Sequence, residues 1–496
     1  MPGTPKALTA ATATLLAATV TATTPALAAP TPGSGDTPYA RMDAYVHEHM
    51  AAVDAPGLAY AVVGPDGVEH RSAFGEDGAG EPVTEHTPFL WGSVAKPVTA
   101  TAVLVLADEG RIELDAPVRR YLPAFGEFGG DEIDPTVRDL LTQSAGIRPE
   151  AAYEVSDVYG AHSAEFGPRV ERIAASAPGP YGEHAYSSAN YLLLGAIIEE
   201  RSGQDLSAFL HDAVLDPAGM GETAITSAEE ARDLGLEAGH QPLWGVPAPI
   251  ADGVDDAGVS YGYLGGDLTA LSSFAELQLN GGRVGGTQVI EEDTLAEAHT
   301  GVRPVPGSAS RYGLGWREGE LPGTGTPAVY HFGATPGHSA LVIMLPERER
   351  AVVVLQNAYS LLQDAQLLEG VGLGMAALLA EGDPPERPGA SLLYPAAVWG
   401  ATAAALALAA GTVLGVRMNL ARRLAARPRP RLGGTLAWAL IGGAAVATAG
   451  WLLLSVGPHM AMTWLPDITV AVLVAGALGV FPALLRVIAA RRGRTR

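Results

Sequence analysis

The chain has 496 residues, which is long for one domain and consistent with two or three. It contains no cysteine, and this excludes disulfides, thiolate metal sites and cysteine nucleophiles. Of the net charge of −23, residues 391–496 carry eleven Arg, no Lys and one Asp, a charge of +10 that leaves −33 for residues 1–390. An acidic globular part argues against nucleic acid as a partner, and a basic, apolar tail indicates a membrane.

Residues 1–28 are typical of a secretory signal peptide. Lys6 supplies the positive start, residues 7–21 form an apolar stretch, and Ala26-Leu27-Ala28 is a small-residue cleavage site. A disordered Ala/Thr-rich leader is the alternative interpretation. Residues 29–37 are rich in Pro and Gly and are interpreted as a linker.

Residues 38–385 form one stretch without internal repeats, and its patterns predict both strands and helices. In chain order we expect a helix over 41–53, a β-hairpin of 57–63 and 68–74, helices over 136–142, 189–201, 206–215 and 268–280, strands over 331–333, 339–345 and 351–356, and a closing helix over 363–380. Strands at both ends with helices between them predict one sheet built from both ends of the domain. The fold class is therefore α+β, with a mainly helical insertion.

The tetrad Ser93-Val94-Ala95-Lys96 stands at the start of an apolar helical run, residues 97–107. Residues three apart share one helix face, about 5–6 Å apart at Cβ, so the tetrad holds a Lys amine beside a Ser hydroxyl. A nearby positive charge and desolvation are two means of making Ser a usable nucleophile. The alternative is a helix N-cap Ser followed by a solvated Lys.

Two further motifs follow, Tyr186-Ser187-Ser188 and His331-Phe332-Gly333. With the tetrad, the chain resembles the serine β-lactamase and penicillin-binding-protein superfamily, in particular its class C β-lactamase-like branch of D,D-peptidases and esterases. The resemblance covers roughly residues 39–380 and includes further segments in family order, namely 87–92, 114–118, 121–123, 137–142, 216–220 and 312–316. It implies an antiparallel sheet flanked by helices with a helical inserted subdomain.

The resemblance implies three catalytic residues. Ser93 would be the acylated nucleophile, and Lys96 would hold its hydroxyl and lower its proton affinity. Tyr186 would shuttle the proton, either as a phenolate or through Lys96; because an ordinary Tyr pKa lies near 10, a phenolate would need a close cation. A buried aromatic without a chemical role is the alternative for Tyr186. The implied chemistry requires no metal and no cofactor.

The resemblance also implies the substrate side of the site. The backbone N–H group of Ala334, with that of Ser93, would form the oxyanion hole, and Gly333 would let the substrate backbone approach the strand edge. His331 would stand near the substrate carboxylate or leaving group, with a structural core His as the alternative. Ser188 stands where the family usually has Asn, and its shorter reach weakens an expectation of potent β-lactamase activity.

Three apolar stretches near the C-terminus, 392–416, 432–456 and 468–485, each approach or exceed the length that spans a bilayer. Arg residues fill the first connection and follow the third stretch, whereas the short loop expected over residues 457–467 contains no Lys or Arg. The positive-inside rule then places a tail over 489–496 in the cytoplasm and the domain over 38–385 outside the plasma membrane. No charge lies at mid-span, so the membrane segment over 392–488 is interpreted as an anchor rather than a transporter.

The leading hypothesis is a membrane-anchored extracytoplasmic serine hydrolase. It would form an acyl-enzyme with peptide, amide, ester or β-lactam substrates, cell-wall peptides among them. The alternative is a non-catalytic, penicillin-binding-protein-like sensor or binding module tethered to the membrane, which the departure at Ser188 leaves open.

Overall fold

The structure, a computed structural model, describes residues 38–126, 128–250, 253–386, 391–424 and 432–491. The expected signal peptide (1–28) and linker (29–37) lie outside the described residues. So do residues 425–431 of the Arg-rich connection and 492–496 of the basic tail.

The main sheet has eight antiparallel strands in the order β2-β1-β14-β13-β12-β11-β10-β9, and three two-stranded pairs accompany it. The described strands are β1 (Gly57–Gly64), β2 (Gly67–Gly75), β3 (Phe89–Leu90), β4 (Gly239–Leu243), β5 (Val246–Ile250), β6 (Gly265–Gly266), β7 (Arg283–Val284), β8 (Thr287–Gln288), β9 (Arg303–Pro304), β10 (Arg311–Tyr312), β11 (Arg317–Glu320), β12 (Pro327–Thr335), β13 (His338–Leu345) and β14 (Arg350–Gln356).

Strands from both ends of the domain meet in this sheet, as the sequence predicts. The first strand pairs with the last, with Leu58 opposite Gln356 and Val63 opposite Ala351. The predicted hairpin is present as β1 and β2, and the three predicted C-terminal strands are neighbours. The α+β layout is confirmed.

Strands β9 to β11 extend the sheet beyond β12 and were not predicted. Each has two to four residues, which is too short to show an alternating pattern. Their functional effect is to bring Tyr312, fully buried in β10, to the side of β12 on which His331 lies.

The described helices lie on both faces of the sheet and in the C-terminal segment. They are α1 (Pro38–Val53), α2 (Ala95–Asp108), α3 (Val137–Leu141), α4 (Glu150–Tyr153), α5 (Gly167–Ala174), α6 (Ser188–Ser202), α7 (Leu206–Leu210), α8 (Ala228–Asp233), α9 (Leu268–Leu279), α10 (Glu292–His299), α11 (Gly370–Leu379), α12 (Leu393–Leu424), α13 (Leu432–Ser455), α14 (Pro458–Trp464) and α15 (Pro466–Arg491).

The two faces of the sheet belong to two apolar cores. On one face, Tyr60 and Val62 pack in the same cluster as Met42 of α1 and Met375 of α11. On the other face, Ala59, Ala61 and Val63 of the same strand belong to the larger core, which contains α2, α6 and α9. Because both faces are covered, every residue of β1 is buried, and the strand is apolar along most of its length rather than alternating.

Three C-terminal helices coincide with the three predicted apolar stretches. Helices α12, α13 and α15 contain segments of 29, 24 and 25 residues that are long and apolar enough to cross a membrane, with mean hydropathy of 1.7, 1.7 and 2.4. A Cβ added to Gly442 would lie 1.9 Å from the carbonyl oxygen of Gly479, so the backbones of α13 and α15 touch. Between them lies the short helix α14, in a segment that we expected to be a loop.

The hairpin of β4 and β5 ties the sheet domain to these helices. The backbone N–H of Trp244 at its tip donates to Oδ2 of Asp467, 2.9 Å away, and the Trp244 indole donates to Thr402, 2.8 Å away. The hydroxyl of Tyr394 also donates to Asp467, over 2.6 Å. The acid at the first turn of α15 therefore joins two helices and the hairpin.

A buried ion pair braces the helical insertion. Arg169 and Asp255 are 6% and 0% exposed and form two hydrogen bonds, of 2.8 and 2.9 Å. The same carboxylate accepts a hydrogen bond of 2.7 Å from the hydroxyl of Tyr261. Because each charge is buried and fully paired, removing one partner leaves the other without compensation.

We expect Arg169→Met to lower the free energy of unfolding by about 3–5 kcal/mol, since it leaves the Asp255 carboxylate buried and unpaired. Arg41→Met is the matched control, because the Arg41–Asp383 pair is exposed and such pairs contribute about 0–1 kcal/mol. Urea unfolding of the detergent-solubilised full chain, followed by tryptophan fluorescence, measures both. Equal losses in the two variants would contradict the prediction.

Candidate active site

Ser93 lies in a tight turn, the 3-10 segment Gly92–Val94, immediately before α2. This turn packs backbone against backbone on β12. A Cβ at Gly92, whose φ is +54°, would lie 2.0 Å from the amide nitrogen of Ala334, and a Cβ at Gly333 would lie 2.0 Å from the carbonyl oxygen of Trp91. Glycine is needed at both positions for the strand and the turn to approach so closely.

This packing changes the interpretation of Gly333. We expected it to let the substrate backbone approach the strand edge, but its side-chain space is filled by the turn that carries Ser93. The amide groups of Ser93 and Ala334 thereby lie on adjoining backbones, and both residues line the same cavity. Two backbone N–H groups in such an arrangement can stabilise one oxyanion.

Lys96 is completely buried under the nucleophile. Its Nζ lies 2.8 Å from Oγ of Ser93, 2.7 Å from the carbonyl oxygen of Tyr261 and 3.4 Å from Oγ of Ser188. Within the described parts of the chain, no carboxylate forms an ion pair with it. Burial lowers the pKa of the Lys96 amine well below its ordinary value. A neutral amine in this position has a lone pair for the Ser93 proton.

Tyr186 lies beside this amine, with Nζ of Lys96 5.0 Å from the centre of its ring. Burial raises the pKa of the Tyr186 hydroxyl to about 12, although a hydrogen bond with Ser93 and the charge of Arg317 oppose the rise. Tyr186 is therefore a neutral phenol at neutral pH. Of the two routes left open for it, the raised pKa favours proton transfer through Lys96 over a phenolate.

Ser188 is the first residue of α6, and its hydroxyl reaches the Lys96 amine only over 3.4 Å. Asn190, two residues on, does not replace the usual motif Asn. It is fully buried, and its amide donates to Oε1 of Gln143, 2.6 Å away. The same oxygen accepts the backbone N–H of Ser187 over 2.9 Å, so Gln143 and Asn190 hold the start of α6.

His331 is 3% exposed and has both ring nitrogens engaged. Nδ1 lies 2.8 Å from the carbonyl oxygen of Phe332, so it carries the proton, and Nε2 accepts from the Tyr312 hydroxyl, 3.1 Å away. Burial lowers the pKa of His331 well below its usual range, and the charge of Arg317 and that of Lys96, when its amine is protonated, lower this pKa further. A neutral imidazole with both nitrogens hydrogen-bonded fits the alternative interpretation of His331 as a structural core residue. It offers no positive charge to a substrate carboxylate.

Sequence reasoning missed several residues around the site. Tyr312 connects His331 to Tyr186, whose ring it meets edge-on at 6.1 Å. Tyr261 presents a carbonyl to Lys96, and Gln143 braces α6. Tyr312 lies in a segment that showed a family pattern, which could have identified it, whereas a backbone carbonyl and a core amide leave no signal in the sequence.

A cavity of about 400 Å³ opens above the nucleophile. Ser93, Tyr186, Ser188 and Ala334 lie on its floor, and none of the described residues that line it is Lys or Arg. A hydroxyl beside a buried amine, a phenol and two adjoining backbone N–H groups is the arrangement that a serine hydrolase needs to work through an acyl-enzyme.

Comparison with known proteins agrees with this class. Residues 42–373 match the family model described as Beta-lactamase, so the chain belongs to the beta-lactamase family of serine hydrolases. It is 29% identical to penicillin-binding protein 4 of Amycolatopsis lactamdurans over 64% of this chain and 84% of that protein. It is 31% identical to esterase EstB of Burkholderia gladioli over 44% of this chain and 58% of that protein.

The fold is also similar to a solved structure, an octameric penicillin-binding protein homologue from Pyrococcus abyssi. The TM-score is 0.59 at 23% identity, and the likeness covers 70% of this chain and 79% of that one. The predicted antiparallel sheet with flanking helices and a helical insertion is confirmed by this likeness.

We expect the rate at which a serine-directed fluorophosphonate labels Ser93 to fall as the pH decreases through the pKa of Lys96. The reason is that only the neutral amine accepts the Ser93 proton. Tyr186→Phe should lower the rate but keep this acid limb, since the Tyr186 pKa of about 12 lies above the range tested. Lys96→Arg should lose roughly 100-fold or more at every pH up to 10, because a guanidinium stays protonated. Second-order labelling rates between pH 5 and 10 measure this. A limb that disappears in Tyr186→Phe would assign the base to Tyr186 instead.

Proposed function

We propose that this protein is a membrane-anchored, extracytoplasmic serine hydrolase that cleaves ester or amide bonds through an acyl-enzyme on Ser93. The observation that carries the proposal is the 2.8 Å contact between Oγ of Ser93 and the buried amine of Lys96. A solvated Lys would be a cation and could not accept a proton, whereas burial lowers the pKa of this amine well below its ordinary value and so favours its neutral form.

In the acylation step, the Ser93 proton passes to Nζ of Lys96 while Oγ forms a bond with the substrate carbonyl carbon. The carbonyl electron pair moves onto its oxygen, which the N–H groups of Ser93 and Ala334 stabilise by roughly 3–4 kcal/mol per donor. When the tetrahedral intermediate collapses, the leaving alcohol or amine takes the proton from Lys96 through the Tyr186 hydroxyl. The products are the free alcohol or amine and an ester of Ser93.

Water completes the cycle by the same route in reverse. Lys96 and Tyr186 take one proton from the water as its oxygen attacks the acyl carbon, and Ser93 regains a proton as the carboxylic acid departs. His331 acts here as a positioning residue that holds the Tyr312 ring against Tyr186. Ser188 offers one hydroxyl where a side-chain amide could bridge Lys96 and a substrate amide, which supports ester or peptide substrates over potent β-lactam hydrolysis.

The charge distribution supports the proposed location. Six Arg residues, from Arg417 to Arg431, lie between the first two apolar stretches, and five follow the third. Residues 457–466 contain none. The positive-inside rule then favours a cytoplasmic C-terminus and a hydrolase domain on the outer side of the plasma membrane. In this location the partners would be the lipid bilayer and small-molecule or cell-wall peptide substrates.

The test is labelling of the detergent-solubilised full chain with a broad serine-directed fluorophosphonate, followed by peptide mapping. We expect one adduct on Ser93, no adduct in Ser93→Ala, and unchanged labelling in Ser308→Ala, which alters an exposed serine. A folded protein that forms no adduct would overturn the proposal and support the alternative of a non-catalytic sensor or binding module.

A second candidate, D,D-peptidase activity, is favoured by Arg317 on β11. Its charge lowers the pKa of both Tyr186 and His331, so its guanidinium lies within electrostatic reach of the site. Among the described residues no carboxylate lies within ion-pair distance of it. A cation that forms no ion pair and lies within electrostatic reach of the site is suited to the terminal carboxylate of a stem peptide.

If Arg317 binds that carboxylate, a peptide ending in D-Ala-D-Ala should have a KM roughly tenfold below that of its C-terminal amide. Arg317→Gln should remove the difference and leave the amide unaffected, and Arg283→Gln, at an exposed arginine, should change neither. Steady-state kinetics of D-Ala release measure this. Cleavage of neither peptide by a chain whose Ser93 is labelled would exclude the peptidase and leave the esterase.

A further inference from the structure

One wall of the active-site cavity belongs to the membrane segment. Val456, Met460, Trp464 and Leu465 line the cavity that has Ser93 on its floor. These residues lie in and beside α14, between the end of α13 at Ser455 and the start of α15 at Pro466. The connection between two candidate spans therefore lines the same cavity as Ser93.

Helix α14 is held against the hydrolase domain by Asp157. The Trp464 indole N–H donates to Oδ2 of Asp157, 2.8 Å away, and Nε2 of His459 donates to its backbone carbonyl, also 2.8 Å away. The Tyr263 hydroxyl donates to Oδ1 over 2.7 Å. Asp157 is 3% exposed and has a φ of +59°, a conformation that non-glycine residues rarely adopt.

A second contact with the domain lies near the C-terminal end of α14. The side-chain amide of Gln241, in β4, donates to the backbone carbonyl of Thr463 over 3.0 Å. Both ends of α14 are thus bonded to buried groups of the domain. Such a helix is a fixed part of the site, and the wall that it forms is present whenever a substrate enters.

This wall and its surroundings are apolar. Val456, Met460, Leu465 and Leu361 face the space above Ser93, and the one acid that lines it, Asp157, is occupied by its hydrogen bonds. A hydrated polar substrate gains little against such a surface. Each methylene group buried there adds up to about fourfold in binding.

We propose that the substrate is an amphiphile: an ester or amide whose apolar chain lies against α14 and enters from the bilayer, with its carbonyl over Ser93. This rests on the proposed function and adds the substrate class to it. The chain enters from the bilayer because α14 has a candidate membrane span at each end. The bond that breaks and the path of the proton are those given above for the acyl-enzyme.

The first test uses the full chain in lipid nanodiscs and two pairs of esters. One pair, p-nitrophenyl acetate and octanoate, varies the acyl chain; the other, ethyl and octyl acetate, varies the leaving group. We expect kcat/KM to be at least about tenfold higher for the longer member of one pair. No dependence on chain length in either pair would overturn the proposal.

Two methionines of α14 provide a matched control. Met460 lines the cavity, whereas Met462 does not line it and is 44% exposed. Met460→Gln should lower the preference for the longer chain at least about fivefold. Met462→Gln should leave the preference unchanged. If neither variant changes the preference, it reflects partitioning of the ester into lipid. This outcome contradicts the proposal, and so does an equal loss of the preference in both variants. If Met460→Gln does not fold, Val456→Thr takes its place, and it should likewise lower the preference for the longer chain.

A vesicle experiment tests the route. 4-Methylumbelliferyl palmitate is placed either in the vesicles that contain the protein or in separate ones. Cleavage confined to the shared vesicles supports entry from the bilayer, and equal cleavage in both would overturn it. If Ser93 takes no fluorophosphonate and no ester is hydrolysed, the proposed function itself has failed; hydrolysis of the short esters without a chain preference overturns this inference alone.

Discussion

An amine buried without a counter-ion is the constraint on which the rest of the site depends. Lys96 is completely buried, and its Nζ is surrounded by hydroxyls and a carbonyl rather than a carboxylate. If an acid stood there, the amine would be a cation and could not accept the Ser93 proton. The surrounding structure must therefore supply oxygen acceptors at fixed positions and keep charge away.

The buried ion pair of Arg169 and Asp255 helps to fix the position of one of these oxygen acceptors. Asp255 holds the Tyr261 hydroxyl, and the carbonyl of Tyr261 then meets Lys96. Thr99, one turn after the lysine, donates to the neighbouring carbonyl of Ser260 over 2.8 Å. The negative charge is paired with Arg169, so it fixes the geometry around the amine without holding the amine protonated.

The sequence predicted the parts of the structure that have a local pattern. The S-x-x-K tetrad, the Tyr186 motif and the strand at His331 lie together as expected, because each occupies a regular element of a family fold. The tie between Lys96 and Tyr261 spans 165 residues and uses a backbone carbonyl, which no side-chain pattern can reveal. The packing role of Gly333 could not be predicted for a related reason: the backbone that fills its side-chain space comes from a distant turn.

The short helix between the second and third apolar stretches was also beyond prediction, because seven residues are too few to show a helical period. Its contacts nevertheless show that the connection between two candidate membrane helices packs against the hydrolase domain. A connection that only joined two spans would leave the carbonyl and Oδ2 of Asp157 without their donors, Nε2 of His459 and the indole of Trp464. Buried acceptors without partners are costly, and Asp157 is held in a rare backbone conformation as well. The hydrolase domain is therefore completed by the segment that carries the candidate membrane helices, and the surface thus completed is the one that faces Ser93.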